Sequence, residues 1–263
     1  MDILEIIVAA KKEEVRRRKR LFPVKELKKS AFFDCTPISF YIALKKDGPS
    51  IIGEFKRKSP SKGEINITES VGLVAAGYEK AGVSAMSILT DNDFFGGDNN
   101  DLSEVAALTG LPLLRKDFII DEYQVVESKS IGASAILLIG SILTKSQTEH
   151  LANMAFSLGM EVLFEIHDEN DLEKMSYNIR IVGVNNRNLK TFEINMENSI
   201  DLLHQLPSDC LKVAESGFQT ITDVKKMHAR GYDAFLIGEK FMRSVDPSKS
   251  AAEFITGLKM VMQ

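Results

Sequence analysis

The sequence predicts an α/β protein, a (β/α)8 TIM barrel preceded by helices. From Ile51 onward, strand-like apolar runs alternate with helix-like runs at spacings of about 20 to 33 residues. There are eight strand-like runs, the number that closes a barrel, whereas an open doubly wound sheet more often has about five or six. No Gly-x-Gly-x-x-Gly turn follows any of these runs, which argues against a dinucleotide-binding fold.

The first part of the chain is predicted to be helical. Residues 2–20 fit an amphipathic helix, and the cationic run at 16–20 suits a helix C-terminus. Such a run is most simply a solvated face, and the alternative is a surface that attracts anions. A second short helix is expected over 37–46. We therefore expect residues 1–48 to form a helical extension packed on a barrel of residues 49–263, in one domain overall.

The repeating part of the chain gives eight strands and eight helices. Its strands are nearly continuous apolar runs, as expected for parallel strands covered on both sides. Asp121 and Thr144 are candidate N-caps, and glycines at 82, 132, 159 and 231 are candidate C-caps. The predicted strands are 51–56, 85–90, 112–116, 135–139, 161–166, 181–185, 211–215 and 234–237. The predicted helices are 68–80, 101–109, 121–130, 145–158, 168–176, 196–206, 221–230 and 246–263.

The composition excludes several classes of function. The net charge is -4 over 263 residues, which gives no electrostatic reason to expect a nucleic-acid partner. The two cysteines, Cys35 and Cys210, are too few for a disulfide framework and lack metal-ligand spacing. No apolar run approaches the roughly 20 residues that span a bilayer, and the N-terminus lacks the apolar core of a secretory signal. We expect a cytoplasmic protein with no membrane partner.

Polar residues stand at the ends of most predicted strands, where the chemistry of a barrel of this kind is located. Glu54 and Lys56 are two residues apart on one strand and therefore share a face. Each position alone is easily a solvated strand end. Charged residues are rarely buried without partners, however, so groups of both signs around one mouth predict a catalytic site. The set comprises Glu54, Lys56, Thr90, Asp91, Lys116, Asp117, Glu165, Asn185, Arg187, Glu215, Ser216, Gly217, Gly238 and Glu239.

Two of these strand ends have the features of a phosphate site. Ser216-Gly217 follows the seventh strand and Gly238-Glu239 the eighth, and each pair precedes a helix. Glycine lets backbone N–H groups approach an anion, and the loops after these two strands are the frequent phosphate position in this fold. Taken alone, Ser-Gly is only a turn. Phe94-Phe95 and Phe118 lie beyond strand ends and could either wall a flat apolar ligand or pack in the core.

The four histidines give no indication of a metal site. His150, His204 and His228 are expected on helix surfaces. His167 lies two residues past Glu165 and is expected at most to support it.

The motifs that carry these residues resemble the indole-3-glycerol-phosphate synthase family over nearly the whole chain. They are Gly53-Glu54-Phe55-Lys56-Arg57-Lys58-Ser59-Pro60-Ser61, Leu89-Thr90-Asp91, Phe94-Phe95-Gly96-Gly97, Leu114-Arg115-Lys116-Asp117-Phe118, Phe164-Glu165-Ile166-His167, Gly183-Val184-Asn185-Asn186-Arg187-Asn188-Leu189, Val213-Ala214-Glu215-Ser216-Gly217 and Phe235-Leu236-Ile237-Gly238. The resemblance implies a lyase of tryptophan biosynthesis. Its substrate would be 1-(2-carboxyphenylamino)-1-deoxyribulose 5-phosphate, closed to indole-3-glycerol phosphate with loss of carbon dioxide and water.

The resemblance also implies roles for the catalytic residues. Lys116 matches the general acid that polarises the ribulose carbonyl, and Glu165 matches the base of the dehydration. Lys56 matches the lysine beside the substrate carboxylate or the departing hydroxyl, with Glu54 holding it. We expect desolvation by Phe118 and a nearby second cation to lower the pKa of Lys116.

The remaining matches concern binding. Ser59, Asn185 and Glu215 match substrate contacts, Arg187 an electrostatic support, and Phe95, Phe118 and Leu137 the anthranilate pocket. Lys56, Ser216, Gly217, Gly238 and Glu239 match the phosphate grip. Because a carboxylate would repel phosphate, Glu239 is expected to act through its backbone N–H. Asp98, Asn188 and Glu239 depart from residues common in the family. No metal and no cofactor are implied, and a monomer that binds only this small phosphorylated substrate is expected.

Three alternatives remain open from the residues. The first is a barrel aldolase that uses Lys116 or Lys56 as a Schiff base, which borohydride trapping would reveal. The second is phosphoribosylanthranilate isomerase, whose acid–base pair does not match the two lysines and the glutamate found here. The third is a catalytically dead phosphate-sugar binding protein, which a fluorescence assay for indole product would identify.

Overall fold

The computed structural model describes residues 2–188 and 191–262. Leu189, in the resemblance motif, and Gln263, in the predicted closing helix, lie outside the described residues. Among the described residues, eight parallel strands close into a barrel in which each strand pairs with the next and the last pairs with the first. The predicted TIM barrel is confirmed. The strands are β1 (Ser50–Phe55), β2 (Ala85–Leu89), β3 (Leu113–Lys116), β4 (Ala135–Ile139), β5 (Glu161–Ile166), β6 (Ile181–Asn185), β7 (Leu211–Glu215) and β8 (Ala234–Ile237).

Helices lie before the barrel and between its strands. The predicted caps are in place, since the Asp121 side chain accepts from the backbone N–H of Tyr123 and Thr144 forms a capping box with Gln147. The helices are α1 (Ile3–Leu21), α2 (Val24–Leu27), α3 (Phe40–Leu44), α4 (Val71–Ala81), α5 (Asn92–Phe95), α6 (Asn99–Leu108), α7 (Glu122–Ser130), α8 (Lys145–Ser157), α9 (Glu169–Leu172), α10 (Met196–Leu203), α11 (Ile221–His228), α12 (Glu239–Met242) and α13 (Pro247–Met262).

Several boundaries differ from those predicted. Strand β1 ends at Phe55, so Lys56 lies in the following loop. That loop contains a short antiparallel pair, Lys58–Ser59 with Gly63–Glu64, which the sequence did not indicate. The helix expected over 168–176 covers only Glu169–Leu172, and the Ser176 hydroxyl donates to the Asn178 side chain at 2.7 Å beyond it. Ser and Asn side chains compete for hydrogen bonds in this way and favour turns over helix.

Alternate residues of each strand belong to two separate apolar clusters. In β1, Ile51 and Phe55 pack outward against the helices, whereas Ile52 belongs to the cluster that fills the barrel. This period of two follows from the pleat of a strand. The same parity sends the Glu54 side chain inward at the end of β1.

The N-terminal helices contact both ends of the barrel. At the end where the strands begin, the Ser50 hydroxyl donates to the Leu44 carbonyl at 2.8 Å, and the Glu161 carboxylate accepts from Ser39 Oγ at 2.8 Å. At the opposite end, Leu4 and Ile7 of α1 join the inner cluster and line the mouth of the barrel. The division into a 1–48 extension and a 49–263 barrel stays a prediction.

A buried ion cluster attaches α1 to the mouth of the barrel. Lys11 is only 1% exposed, and its Nζ lies 2.8 Å from Asp91 Oδ2, 3.0 Å from Asp117 Oδ1 and 2.6 Å from Glu14 Oε2. Burial alone would lower the pKa of Lys11, but the carboxylates of Asp117, Asp91 and Glu14 outweigh it and raise the pKa. Asp91 and Asp117 follow β2 and β3, so the cluster joins the extension to two strand ends of the barrel.

The cationic run that ends α1 is partly engaged with α7. Arg18 Nε lies 2.5 Å from Glu127 Oε1, and Lys19 Nζ lies 2.8 Å from Asp121 Oδ2. These pairs favour a role of the run in attaching α1 over a role in attracting anions.

Replacing Lys11 by Met is expected to destabilise the fold strongly. The variant would leave the Asp91 and Asp117 carboxylates buried without their shared cation, and breaking a buried pair from one side costs about 3–5 kcal/mol. Urea denaturation followed by circular dichroism would measure the change in the free energy of unfolding. Lys12→Met, at an exposed position of the same helix, is the matched control and should cost less than about 1 kcal/mol. Equal effects of the two variants would contradict the role assigned to the cluster.

Candidate active site

Most of the residues predicted for the site converge on one cavity at the carboxyl ends of the strands, whereas Thr90 and Asp91 do not line it and instead bind Asp117 and Lys11. Because these residues come from all eight strands or from the loops after them, the closed barrel is what brings them together. The predicted residues that line the cavity are Glu54, Lys56, Ser59, Phe95, Lys116, Asp117, Phe118, Leu137, Glu165, Asn185, Arg187, Glu215, Ser216, Gly217, Gly238 and Glu239.

Lys116 lies between two carboxylates at the centre of the cavity. Its Nζ is 3.0 Å from Glu165 Oε2 and also forms an ion pair with Glu215 Oε2. Lys116, Glu165 and Glu215 stand at or near the ends of β3, β5 and β7, which are alternate strands of the barrel. Inward side chains from alternate strands form one layer in this fold, so the three charges lie at the same depth.

The expected lowering of the Lys116 pKa was wrong. Burial does act to lower it, but the carboxylates of Glu215, Glu165 and Glu54 outweigh burial and raise the pKa above its ordinary value. The lysine therefore carries its charge firmly, as a cation held by a surplus of negative neighbours.

The two carboxylates beside Lys116 have pKa values shifted in opposite directions. Burial acts to raise the pKa of both. For Glu165, the nearby Lys116 and His167 outweigh burial and lower the pKa, and the Asn185 amide donates to its Oε1 at 3.2 Å. For Glu215, the Glu165 and Glu54 charges add to burial and raise the pKa to about 7. Environments that separate two acids in this way are typical of acid–base sites.

Gly183 provides the space that Glu215 occupies. A Cβ at Gly183 would lie 2.2 Å from Glu215 Oε1 and 2.8 Å from Leu163 Cδ2. Glu215 Oε1 is buried and has no hydrogen-bond partner within the part of the chain that the structure describes. A glycine on the neighbouring strand is thus required for this carboxylate to point into the barrel.

The second lysine of the cavity is paired with the carboxylate two residues before it. Lys56 Nζ lies 2.6 Å from Glu54 Oε1. Glu54 is buried against Gly238, where a Cβ would lie 2.6 Å from the same oxygen. Gly238 is therefore needed for the packing of Glu54, in addition to any part it has in anion binding.

The loops after β7 and β8 form the polar wall of the cavity. Ser216 and Gly217 are consecutive residues with positive φ, 69° and 91°, so the chain makes a left-handed turn as it leaves β7. Gly238 is the N-cap of α12. The Glu239 carboxylate is turned to cations, with Arg187 Nη2 at 3.4 Å and Arg243 Nε at 3.1 Å.

Aromatic rings form the opposite, apolar wall. The ring centroids of Phe95 and Phe118 are 6.0 Å apart with an interplanar angle of 39°. Asp91 fixes the turn that carries Phe95, because its Oδ1 accepts from the backbone N–H of Phe94 at 2.8 Å. Ile3, Leu4 and Ile7 of α1 line the same cavity and were not predicted there, although their apolar spacing on α1 was the available signal.

Arg115 and Asp117 flank Lys116 in sequence; Arg115 received no role from the sequence, and Asp117 was predicted only as a member of the polar set at the strand ends. Both are buried, and Arg115 Nη2 lies 3.1 Å from Asp117 Oδ2 and 2.7 Å from Glu127 Oε2. Asp117 Oδ1 also accepts from the backbone N–H of Phe118 at 2.8 Å. These contacts fix the end of β3 on the side that faces α7.

The histidines lie as expected, and His167 comes close to the Glu165 carboxylate. His150 and His204 are exposed, and His228 Nδ1 is 2.8 Å from the Tyr232 carbonyl oxygen. His167 Nε2 lies 3.8 Å from Glu165 Oε1. Among residues 2–188 and 191–262, no cluster of His, Cys, Asp and Glu is arranged to hold a metal ion, and no helix is both long and apolar enough to cross a bilayer.

Comparison with known proteins identifies relatives over the full barrel. A family model described as indole-3-glycerol phosphate synthase matches residues 4–254. The chain is 41% identical over 258 residues to the indole-3-glycerol phosphate synthase of Bacteroides thetaiotaomicron, covering 98% of this chain and 99% of that protein. It is 42% identical over 258 residues to the protein of that name from Thermoanaerobacter pseudethanolicus, covering 98% of each.

Solved structures that resemble this one share the fold at low sequence identity. The KGPDC structure from Streptococcus mutans has a TM-score of 0.62 at 11% identity, over 82% of this chain and 99% of that one. Tryptophan synthase subunit alpha from Legionella pneumophila has a TM-score of 0.58 at 10% identity, over 81% and 92% respectively. These likenesses support the barrel fold alone.

Replacing Glu215 by Gln is expected to change how stability depends on pH. The folded-state pKa of about 7 lies above the ordinary value of 4.5, so between these two pH values the folded state keeps a proton that the unfolded state releases. The parent therefore loses stability as the pH rises through this interval, and a glutamine escapes that loss. The free energy of unfolding of the variant, relative to the parent, should rise from pH 4.5 to 7 and then level off in urea titrations.

Glu149→Gln is the control for this measurement, since Glu149 is exposed on α8. Its difference from the parent should stay constant over the same pH range. A constant difference for Glu215→Gln as well would contradict the raised pKa of Glu215.

Proposed function

The chain belongs to the indole-3-glycerol phosphate synthase family, and from this premise we propose how its residues carry out the reaction. It is accordingly a decarboxylating lyase of tryptophan biosynthesis. The proposed reaction closes 1-(2-carboxyphenylamino)-1-deoxyribulose 5-phosphate to indole-3-glycerol phosphate, with loss of carbon dioxide and water. The observation that carries the residue assignment is the position of Lys116 between Glu165 and Glu215 at the centre of the cavity.

Lys116 is proposed as the general acid. Ring closure requires that the ribulose carbonyl be polarised while the aromatic carbon attacks it, and an ammonium group can supply a proton to that oxygen. The raised pKa of Lys116 opposes this donation as long as both carboxylates are charged. Glu215, with a pKa of about 7, is the neighbour that can take up a proton near neutral pH. Neutral Glu215 would remove one stabilising charge and make Lys116 a stronger acid.

Glu165 is proposed as the general base. Its lowered pKa keeps it ionised at neutral pH, so it can accept the proton that leaves the ring carbon as the indole becomes aromatic. The Asn185 amide fixes its Oε1. The two acids thus divide the work by environment, one held ionised and one able to become neutral.

Lys56 and Glu54 are proposed to act on the carboxylated end of the substrate or on the departing hydroxyl. Lys56 is the second ammonium group of the cavity, and its bond to Glu54 at 2.6 Å fixes its direction. Loss of carbon dioxide leaves an electron pair that the iminium formed by ring closure accepts. The decarboxylation therefore calls for no separate electron sink, and no cofactor is proposed.

The walls of the cavity are proposed to bind the two ends of the substrate. Phe95, Phe118 and Leu137 would contact the anthranilate ring, which buries its apolar faces. The backbone N–H groups of the turn at Ser216-Gly217 and of Gly238-Glu239, with Lys56, would hold the phosphate. Since Arg187 and Arg243 occupy the Glu239 carboxylate, its side chain need not face the anion. Ser59, Asn185, Arg187 and Glu215 complete the proposed substrate contacts.

The remaining expectations stand as proposals. We propose that the protein is a monomer with one domain, in which residues 1–48 extend the 49–263 barrel, and that it works in the cytoplasm. Its proposed ligand is the small phosphorylated substrate alone, without nucleic acid or membrane. Size-exclusion chromatography with light scattering would test the monomer, since a dimer would double the 29.2 kDa mass.

Lys116→Arg is expected to lower kcat by about 10²–10⁴-fold, the usual contribution of a general acid. Arginine keeps the charge but does not release a proton near neutral pH. The fluorescence of the indole product would follow the reaction at several pH values. Lys80→Arg, on the exposed side of α4, should leave kcat and its pH profile unchanged. A pH–rate profile of Lys116→Arg that resembles that of the parent would count against Lys116 as the acid.

Gly217→Ala is expected to raise KM about tenfold or more. The residue has φ 91°, which disfavours a side chain, and its Cβ would lie 2.9 Å from Ile194 Cγ2. The turn that would hold the phosphate must then shift. Inhibition by inorganic phosphate should weaken by the same factor in a competition assay.

Gly48→Ala is the matched control for the turn. Gly48 has φ 83° and open space around its Cα, and it lies before β1 at the other end of the barrel. It shares the backbone strain but not the proposed phosphate contact. Its KM and phosphate inhibition should equal those of the parent, and an equal loss in both variants would exclude a specific effect on phosphate.

A further inference from the structure

A hydrogen-bonded group stands directly behind Glu165. It consists of Ser141 in the turn after β4, His167 just after β5, and Asp171 in α9. The Ser141 hydroxyl donates to Asp171 Oδ2 at 2.7 Å, and its oxygen is 3.2 Å from His167 Nδ1. Asp171 Oδ2 also accepts from the backbone N–H of His167 at 3.1 Å. These contacts fix the imidazole ring on one side.

The same contacts determine which ring nitrogen carries the proton. Burial acts to raise the pKa of Asp171, but hydrogen bonds from His167, Ser141 and Lys174 outweigh it and lower the pKa to about 2, so Asp171 is ionised and only accepts. The Ser141 proton is therefore directed to Asp171, and the Ser141 oxygen accepts from Nδ1–H of the ring. In neutral His167 this leaves the lone pair on Nε2. Nε2 is the nitrogen that faces Glu165, 3.8 Å from Oε1.

His167 opens onto a different cavity from the one that Glu165 lines. Glu165 lines the cavity that holds Lys116, whereas His167 lines a second, polar cavity of about 800 Å³ on the other side. The second cavity is large enough for many water molecules, each of which takes about 30 Å³ in the liquid. His167 thus stands between the base of the reaction and a separate volume that water can fill.

We propose that His167 is a positioning residue that restores Glu165 after each turnover by accepting its proton and passing it to the second cavity. The inference rests on the proposed function, in which Glu165 takes a proton from the ring carbon. The carboxylic O–H bond of Glu165 breaks and an N–H bond forms at Nε2, giving an imidazolium and a carboxylate. Water from the second cavity then takes the proton from Nε2, so the ring returns to its neutral form with the remaining proton on Nδ1.

The distance and the charges are compatible with this transfer. A direct hydrogen bond needs about 2.7–3.2 Å, so Oε1 and Nε2 must approach by roughly 1 Å or be bridged by one water. Burial acts to lower the pKa of His167, but Asp171, Glu165 and Glu215 outweigh it and raise the pKa. The raised pKa therefore favours His167 as the acceptor of the proton from Glu165. Within the part of the chain that the structure describes, the other charged groups that face the second cavity are Asp2 and Glu5 of α1, Asp168, Lys174 and Glu193.

Chemical rescue of His167→Ala tests the transfer. The variant should have a kcat at least about tenfold below that of the parent, with KM within twofold, because Glu165 stays in place but regains its base form slowly. Added imidazole should enter the vacated position from the second cavity and restore kcat in proportion to its neutral form. His204→Ala, at an exposed histidine that follows α10, should match the parent and show no response to imidazole.

Asp171→Asn supplies an independent measurement. It keeps the size of the side chain but removes the charge that stabilises the imidazolium, so the acidic limb of the kcat profile should move to lower pH. A purely structural role of His167 would give a kcat that imidazole leaves low and a pH profile of Asp171→Asn parallel to that of the parent. Either result, or an unchanged kcat in folded His167→Ala, overturns the proposal. Whether the parent forms the indole product tests the proposed function separately. The proton transfer through His167 is tested only by the kcat of each variant divided by the kcat of the parent.

Discussion

The alternation of side chains at the end of β3 is the constraint on which the site depends. The side chains of Arg115 and Asp117 bind each other within a buried set of charges, and Lys116, between them, binds Glu165 and Glu215 inside the barrel. On the outer side, the Arg115 guanidinium is satisfied by Asp117, Glu127 and the Thr90 hydroxyl, and Asp117 is also bound by Lys11 of α1. A buried ion pair is tolerated only when its partners are complete, and this set is complete. The strand end is therefore held firmly on its outer face, which fixes the direction of the lysine on its inner face.

The inner face is organised by an imbalance of charge. Lys116 is surrounded by more carboxylates than one cation neutralises. Because burial disfavours an unneutralised charge, these carboxylates cannot all be ionised equally easily. The shift falls on Glu215, which has less cationic support, while Glu165 keeps Lys116 and His167 as neighbours. This difference in cationic support explains why the pKa of Glu165 is lowered and the pKa of Glu215 is raised. One acid is prepared to act as a base, and the other can exchange a proton near neutral pH and thereby adjust Lys116.

The sequence could predict the barrel and the membership of the cavity, because both follow from local periods. Apolar runs and their parity determine which residues point inward, and strand ends are the known location of chemistry in this fold. It could not predict the sign of the Lys116 pKa shift, since this depends on Glu165 and Glu215, 49 and 99 residues further along the chain. For the same reason Lys11 gave no indication of its burial. Its partners, Asp91 and Asp117, meet it only when α1 closes over the mouth of the barrel. The contacts of His167 could not be predicted either, because its partners Ser141 and Asp171 belong to other elements.

Space is the last requirement, and glycine meets it. The inside of an eight-stranded barrel is just wide enough to be filled by side chains, so several long charged residues at one depth need small neighbours. Glu215 occupies the volume above Gly183, and Glu54 occupies the volume beside Gly238. A methyl group at either glycine would lie within 2.6 Å of a carboxylate oxygen, closer than any packed contact. Both glycines therefore act as parts of the electrostatic arrangement, since they decide where negative charge can stand around the two lysines. The catalytic layer of this barrel is thus determined as much by side chains that are absent as by those that carry charge.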